Sequence, residues 1–386
     1  MEQKISLNSN RYKQANRESA IELLKIIAVL LIIIRHVIQT LFYENSFISY
    51  HEYVLDLSIA TTKIQMLVLS VLAYCGAWGN DIFFICSAWF FLQSKKVNKK
   101  KWVFILIEIW TISTIILLFT YFMWGGISNK LIIKCILPTI FGNNWYMTCY
   151  LLFYPIHPIL NGIIERMSKQ ELFRISIVMF VLYFGFDFIK GDLFYPSQII
   201  LWIAIYFIIA YIKCYLKVFI DNINLNVIVL ILGISGNVGL IFLTNYLGLH
   251  FSFFEDKLLH WCKDSNPFLL IVSIAMFNIA RNIHFENCFI NYVSKLSMLI
   301  YIIHENLILR TYFRPYLVNY IYQNYGYSKI LIYVPILVMV IFIFSAVCAA
   351  AYKCTLQKIV YKLSGKIYII FSKIFLFIES CFMKFN

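Results

Sequence analysis

Apolar runs long enough to cross a lipid bilayer recur from one end of this chain to the other. They constrain the fold more than any other feature. They cover about 20–43, 64–92, 102–124, 145–164, 175–190, 195–212, 226–248, 267–280, 291–312 and 329–352. A bilayer core takes roughly 20 helical residues to cross, and inside it every backbone N–H and C=O must find a partner within the protein. A soluble fold would leave too much apolar surface unburied, because 61% of the 386 residues are hydrophobic and only 13% are charged. The expected fold is all-α: a polytopic transmembrane helical protein of about ten spans. Residues 1–19 are expected to form an N-terminal segment, 20–352 the transmembrane domain, and 353–386 a basic amphipathic tail. The first apolar run is long enough to span rather than to be cleaved as a signal peptide.

Charge sets the orientation. Lysines and arginines gather before residue 26, at 95–101, at 166–174, at 213–217, at 281 and 295, and after residue 352. With the N-terminus in the cytoplasm, all of these fall on the cytoplasmic side, as the positive-inside rule requires. Both termini are therefore expected inside, in a multi-pass protein of the cell (plasma) membrane. The net charge of +14 fits loops facing an anionic leaflet, and no nucleic-acid partner is expected. The ten cysteines are scattered, without a CxxC pair or metal-ligand spacing, so neither a disulfide framework nor a metal site is expected. The tail carries Lys358, Lys362 and Lys366 on one helical stripe, and an interfacial helix is preferred there to an eleventh span.

Several runs carry polar groups that lipid would not tolerate. The first holds Glu22, Lys25, Arg35 and His36. Eleven residues separate Lys25 from His36, which puts both on nearly one helix face and roughly 16 Å apart along the axis. Glu22, one turn before Lys25, is placed to pair with it. Intramembrane ionisable groups generally face a cavity and mark function. A neutral histidine in a dry pocket takes a proton from a hydroxyl or accepts an acyl group; a purely structural histidine is the alternative. Lys25 could hold a phosphate or carboxylate, or snorkel to the interface.

The second run breaks its apolar pattern with Gly76, Gly79, Asn80 and Asp81, and continues to Ser87. Polar backbone at such depth is expected to tilt, break or line a cavity. Asp81 needs a partner there, with Arg35 and His36 as candidates. Asn143, Asn144, Trp145 and Tyr146 open the fourth run, where aromatic residues anchor at an interface or stack on a sugar. His304 and Glu305 lie mid-span in the run 291–312, followed by Arg310 and Arg314.

In this order, these pieces resemble the acyltransferase-3 family of integral membrane acyltransferases, and more narrowly its exopolysaccharide and capsule branch. The family's opening helix carries a basic residue, ten residues and a histidine, matched by Lys25 through His36. Its glycine-rich second helix matches Gly76 to Ala88, its W-[FY]-x-x-x-Y segment matches Trp145 to Tyr150, and Tyr301 to Asn306 match its Tyr-x-Ile-His-Glu-Asn segment. Lys25 stands where arginine is usual, and Ala88 replaces a glycine.

The resemblance implies transfer of an acyl group, most simply acetyl, from acetyl-CoA to a hydroxyl of a cell-surface glycan or lipid-linked saccharide. Joined to the residue reading, it gives His36 as base or transient acyl carrier and Lys25, held by Glu22, as orienter of the acyl-CoA. Asp81 or Glu305 would orient the imidazole. Arg35, Ser87, Asn144, Trp145, Tyr146 and His304 are expected to bind substrate. A transporter or flippase for a lipid-linked saccharide is the alternative from another class.

Overall fold

The computed structural model describes residues 18–41, 60–190, 198–325 apart from 255, 256 and 258, and 329–383. Most of the N-terminal segment and of the loop after the first run lie outside the described residues. Seventeen α-helices follow one another, and no strand occurs among the described residues. They are α1 Ser19–Gln39, α2 Ala60–Ala73, α3 Cys75–Phe91, α4 Lys99–Trp124, α5 Asn129–Ile136, α6 Trp145–Ile164, α7 Lys169–Phe180, α8 Phe188–Lys190 and α9 Gln198–Tyr215. The remainder are α10 Lys217–Asp221, α11 Ile223–His250, α12 Pro267–Asn282, α13 Cys288–Ser294, α14 Ser297–His304, α15 Arg314–Tyr325, α16 Ile330–Thr355 and α17 Gln357–Met383.

Among the described residues, six helical stretches are long and apolar enough to cross a membrane: Leu67–Phe91, Lys99–Met123, Trp145–Ile164, Gln198–Tyr215, Ile223–His250 and Ile330–Thr355. Their outer faces expose large apolar side chains such as Phe122, Leu232 and Ile332, which suit lipid rather than water. The other four expected spans differ for identifiable reasons. Helix α1 has 21 residues but carries Glu22, Lys25 and Arg35. Helix α12 has only 16 residues. The run 175–190 passes from α7 into a π-helical stretch at Val181–Asp187. The run 291–312, read from sequence as one span, is broken into α13, α14 and a π-helical turn at Leu309–Phe313.

Helix α1 is the hub. It packs most extensively along α3 and also meets α12, α13, α14 and α16. Ala28, Val29, Val37 and Ile38 are completely buried in it. Surrounding protein thus takes the place of lipid around its charged residues, which removes the objection to placing them there. The close approach depends on glycine. A Cβ at Gly79 would stand 2.5 Å from the Ala28 carbonyl oxygen, and one at Gly76 would collide with the Arg35 side chain. Small residues at a helix crossing let backbones approach in this way.

Of the tilt, break or cavity lining expected of the second run, the structure shows a one-residue interruption at Tyr74, between α2 and α3 and ahead of Gly76. The interruption releases the Ala73 carbonyl, which accepts from Arg35 Nη1 at 3.1 Å and from the Cys262 thiol at 3.1 Å. Arg35 therefore ties α1 to the break and to the loop before α12.

Helix α11 is held to α12 by polar pairs, because a mostly exposed apolar helix gains little from apolar packing in lipid. Asn278 donates to Asn226 at 3.0 Å, and Asn266 donates to Asn237 at 2.9 Å. The tail helix α17 runs antiparallel along α4: Gln357 donates to Glu108 at 2.9 Å, and Tyr361 meets Phe104 edge to face. Lys358, Lys362 and Lys366 are all exposed.

Candidate active site

The first turns of α1 build one end of the site. Glu22 is nearly fully buried; its Oε1 lies 3.1 Å from Lys25 Nζ and its Oε2 accepts from the Ser294 hydroxyl. Glu22 thus fixes Lys25 from α1 and α13 together. Lys25 lines a cavity of about 230 Å³, whose polar wall includes Ser87, Ser294 and Ser297. Its apolar wall includes Ile32, Phe83, Phe90 and Met298, with Tyr146, Tyr150 and Tyr301 alongside. Ser297 Oγ is buried without a hydrogen-bond partner among the described residues.

His36 stands near the other end of α1. Its Nδ1 lies 3.0 Å from Glu305 Oε1 and 3.1 Å from His304 Nε2. The breaking of the run 291–312 positions these partners. Helix α14 stops at His304, and Glu305 and Asn306 form the turn that follows. Asn306 stabilises the turn by accepting from the Ile308 N–H and donating to Ser113 on α4. Irregular backbone at this depth is tolerated where protein satisfies it, as here. Arg314, 3% exposed, then folds back: its Nη2 lies 2.6 Å from Glu305 Oε1 and 2.9 Å from the His304 carbonyl. A buried carboxylate and guanidinium this close form one charge-assisted unit.

The bonding pattern fixes proton positions. His304 Nδ1 faces the Ile300 carbonyl at 2.9 Å, and a carbonyl only accepts, so this nitrogen carries the proton. The Nε2 of a neutral His304 is then an acceptor, like Glu305 Oε1. His36 Nδ1 faces two acceptors and therefore carries its own proton. That leaves the lone pair of neutral His36 on Nε2, which makes no hydrogen bond among the described residues. A histidine oriented this way by a carboxylate is arranged as a general base. His36, His304 and Glu305 also bring three potential metal-ligand atoms within 4.8 Å of one another. Arg314 already neutralises Glu305 and opposes a further cation, so the geometry favours the acid–base reading.

Residues 18–353 match the family model described as an acyltransferase domain, Acyl_transf_3. The chain belongs to the acyltransferase-3 family. No curated protein and no solved structure matches it significantly.

In this acyltransferase-3 protein, the residues singled out from sequence fall into three groups. Glu22, Lys25, Ser87 and Tyr146 meet at the cavity or directly behind it. His36, His304 and Glu305 meet at the other end of α1. Tyr301 connects the groups: it lines the cavity, and its ring lies 5.5 Å from that of His304 and 5.6 Å from that of Tyr146. Trp145 packs edge to face on Tyr146, 5.6 Å away, and does not itself line the cavity.

Arg35, Asp81 and Asn144 stand elsewhere. Arg35 faces the Tyr74 break, donating to Cys262 Sγ at 2.9 Å, and does not meet Asp81. Asp81 is buried near Asp264, and no contact between it and His36 occurs among the described residues; of the two carboxylates considered for that ring, Glu305 holds it. Asp264 in turn accepts from Asn80 at 3.2 Å. Asn144 precedes the first turn of α6 and does not line the cavity.

Sequence reasoning did not assign roles to Arg314, Ser294 or Ser297. Arg314 lies nine residues beyond Glu305, a spacing that on an unbroken helix would put it two and a half turns away. The available signal was a pair of arginines following an intramembrane glutamate, since a buried carboxylate needs a cation.

Proposed function

We propose that this membrane acyltransferase moves an acetyl group from acetyl-CoA to a hydroxyl of a cell-surface or exopolysaccharide glycan, at the plasma membrane with both termini in the cytoplasm. The observation that carries this reading is the Glu305–His36 pair, with the His36 Nε2 lone pair unused at one end of α1 and the Lys25 cavity toward the other. In this reading Lys25, fixed by Glu22, meets the anionic donor at the cytoplasmic end. The cavity admits the donor's narrow arm. His36 Nε2 takes the proton of the acceptor hydroxyl as its oxygen attacks the thioester carbonyl. The carbon–sulfur bond then breaks, and His36 returns the proton to the leaving thiolate. Glu305 stabilises the transient imidazolium, and Arg314 holds Glu305 in place.

The Ser297 hydroxyl and Tyr150 offer hydrogen bonds to the donor arm, while Tyr146, with Trp145 packed on it, meets the acceptor in this reading. Membrane vesicles carrying the protein, supplied with acetyl-labelled CoA and envelope glycan, should build label into base-labile ester. His36→Ala should abolish incorporation while the protein remains folded. Translocation of a lipid-linked saccharide without any CoA dependence would instead support a transporter.

A further inference from the structure

We infer that Arg310 is a specificity residue that recognises an anionic group, a carboxylate or phosphate, carried by the acceptor glycan beside the hydroxyl to be acylated. This rests on the acyltransfer reading above. Arg310 Nη1 lies 3.5 Å from Glu305 Oε2, on the carboxylate whose other oxygen faces His36. An anion held by Arg310 would therefore sit one carboxylate away from the base that takes the hydroxyl proton.

Charge balance shows that Glu305 does not require this second arginine. Buried Arg314, at 2.6 Å, already supplies one positive charge to Glu305. Arg35, the other nearby cation, is committed to the Ala73 carbonyl and Cys262 and has Asp264 in its vicinity. His304 is held neutral by its bonding pattern. Asp81 lies with Asp264 rather than with Glu305. Among the described residues, one positive charge is left over at the His36 end, and it is on Arg310.

The availability of its donors agrees with this. At 3.5 Å the contact to Glu305 is longer than an ordinary charge-assisted hydrogen bond. No other hydrogen bond from the Arg310 guanidinium occurs among the described residues. Its side chain is about one-third exposed, at 32%, against 3% for Arg314. A planar fork with unused donors suits two-point binding of a carboxylate or phosphate. A neutral acceptor would leave that positive charge unmatched beside the base.

The test uses the full-length protein in phosphatidylcholine vesicles with acetyl-labelled CoA. The acceptor is the host cell's surface polysaccharide, either native or freed of anions by carboxyl reduction and dephosphorylation. The parent protein should use the native form with a kcat/KM about tenfold or more higher. Arg310→Gln should raise KM for the native form by about tenfold, leave kcat within a few-fold, and lose the preference. Arg310→Lys should fall between. Equal use of both acceptors by the parent would overturn the inference. So would an equal fall in kcat on both acceptors in Arg310→Gln, which would make Arg310 a positioning residue for Glu305. If anionic lipid added to the vesicles, rather than the acceptor's own anion, governs the rate, the recognised anion is a lipid headgroup and the inference fails. No transfer to either acceptor by the parent would remove the acyltransfer reading, and this inference with it.

Discussion

Glu305 Oε1 lies 3.0 Å from His36 Nδ1 and 2.6 Å from Arg314 Nη2, so one carboxylate oxygen joins the candidate base to a buried cation. The histidine comes from α1, and both partners come from the segment that follows α14. The relationship makes separable predictions for activity and stability.

Glu305→Gln keeps the side chain's shape and removes its charge. Transfer at saturating donor should fall by about 100-fold or more, because the imidazolium loses its stabiliser. Arg314 is then left buried without a counter-charge, which should cost about 3 kcal/mol of stability. The double variant Glu305→Gln, Arg314→Gln should regain much of that stability and none of the transfer. Thermal unfolding in detergent beside a labelled-acetyl assay measures both; recovery of activity in the double variant would contradict the assignment.

Lys25→Ala tests the opposite end of α1. Lys25 is only partly buried and Glu22 keeps the Ser294 hydroxyl as a donor, so the substitution should lower stability less than loss of the Glu305 charge does. The KM for acetyl-CoA should rise about tenfold, with a smaller change in kcat. Lys25→Arg should keep most of the affinity. Unchanged donor KM in Lys25→Ala would assign the lysine to the membrane interface instead.

The crossing of α1 and α3 predicts a contrast among glycines. Gly79→Ala drives a methyl group against the Ala28 carbonyl and Ile32, and the backbone cannot yield as a flexible side chain would. A loss of about 1–3 kcal/mol is expected, with the two ends of α1 displaced and transfer reduced. Gly162→Ala, in α6, meets nothing within 4 Å and should be neutral, or stabilising by about 0.5–1 kcal/mol. Comparable melting temperatures for the two variants would argue against a close α1–α3 contact.

Asp264, in the segment before α12, predicts a pH dependence. Burial pushes its carboxyl up to about 6, against the smaller opposing pulls of Asn80 and Arg35. The folded state therefore holds this proton over a pH range in which the unfolded chain has released it. Its contribution to stability should fall as pH rises from about 4 to 6 and level off above that. Asp264→Asn should flatten this part of the stability–pH curve and be more stable than the parent above pH 6. Parallel curves for the two proteins would exclude ionisation of Asp264 as the cause.

The sequence by itself determined the helical membrane class, because long apolar runs with so few charges admit little else. It also determined that Lys25 and His36 share a face of one helix, since that follows from helical pitch alone, and that Glu22 pairs with Lys25 from one turn away. The family followed from motifs in register between Lys25 and Asn306, and the family model matches residues 18–353. Only the tertiary structure decided between Asp81 and Glu305 as the partner of His36. That choice depends on where α14 ends and on which face of α3 turns toward α1, and neither is set by local spacing. The break at Glu305 and Asn306 was equally hidden, because its stabilising bonds reach Ser113 on α4 and Arg314 beyond a π-helical turn. Local periodicity records which face of a helix is apolar; which polar groups meet within the membrane is decided by contacts between helices far apart in sequence.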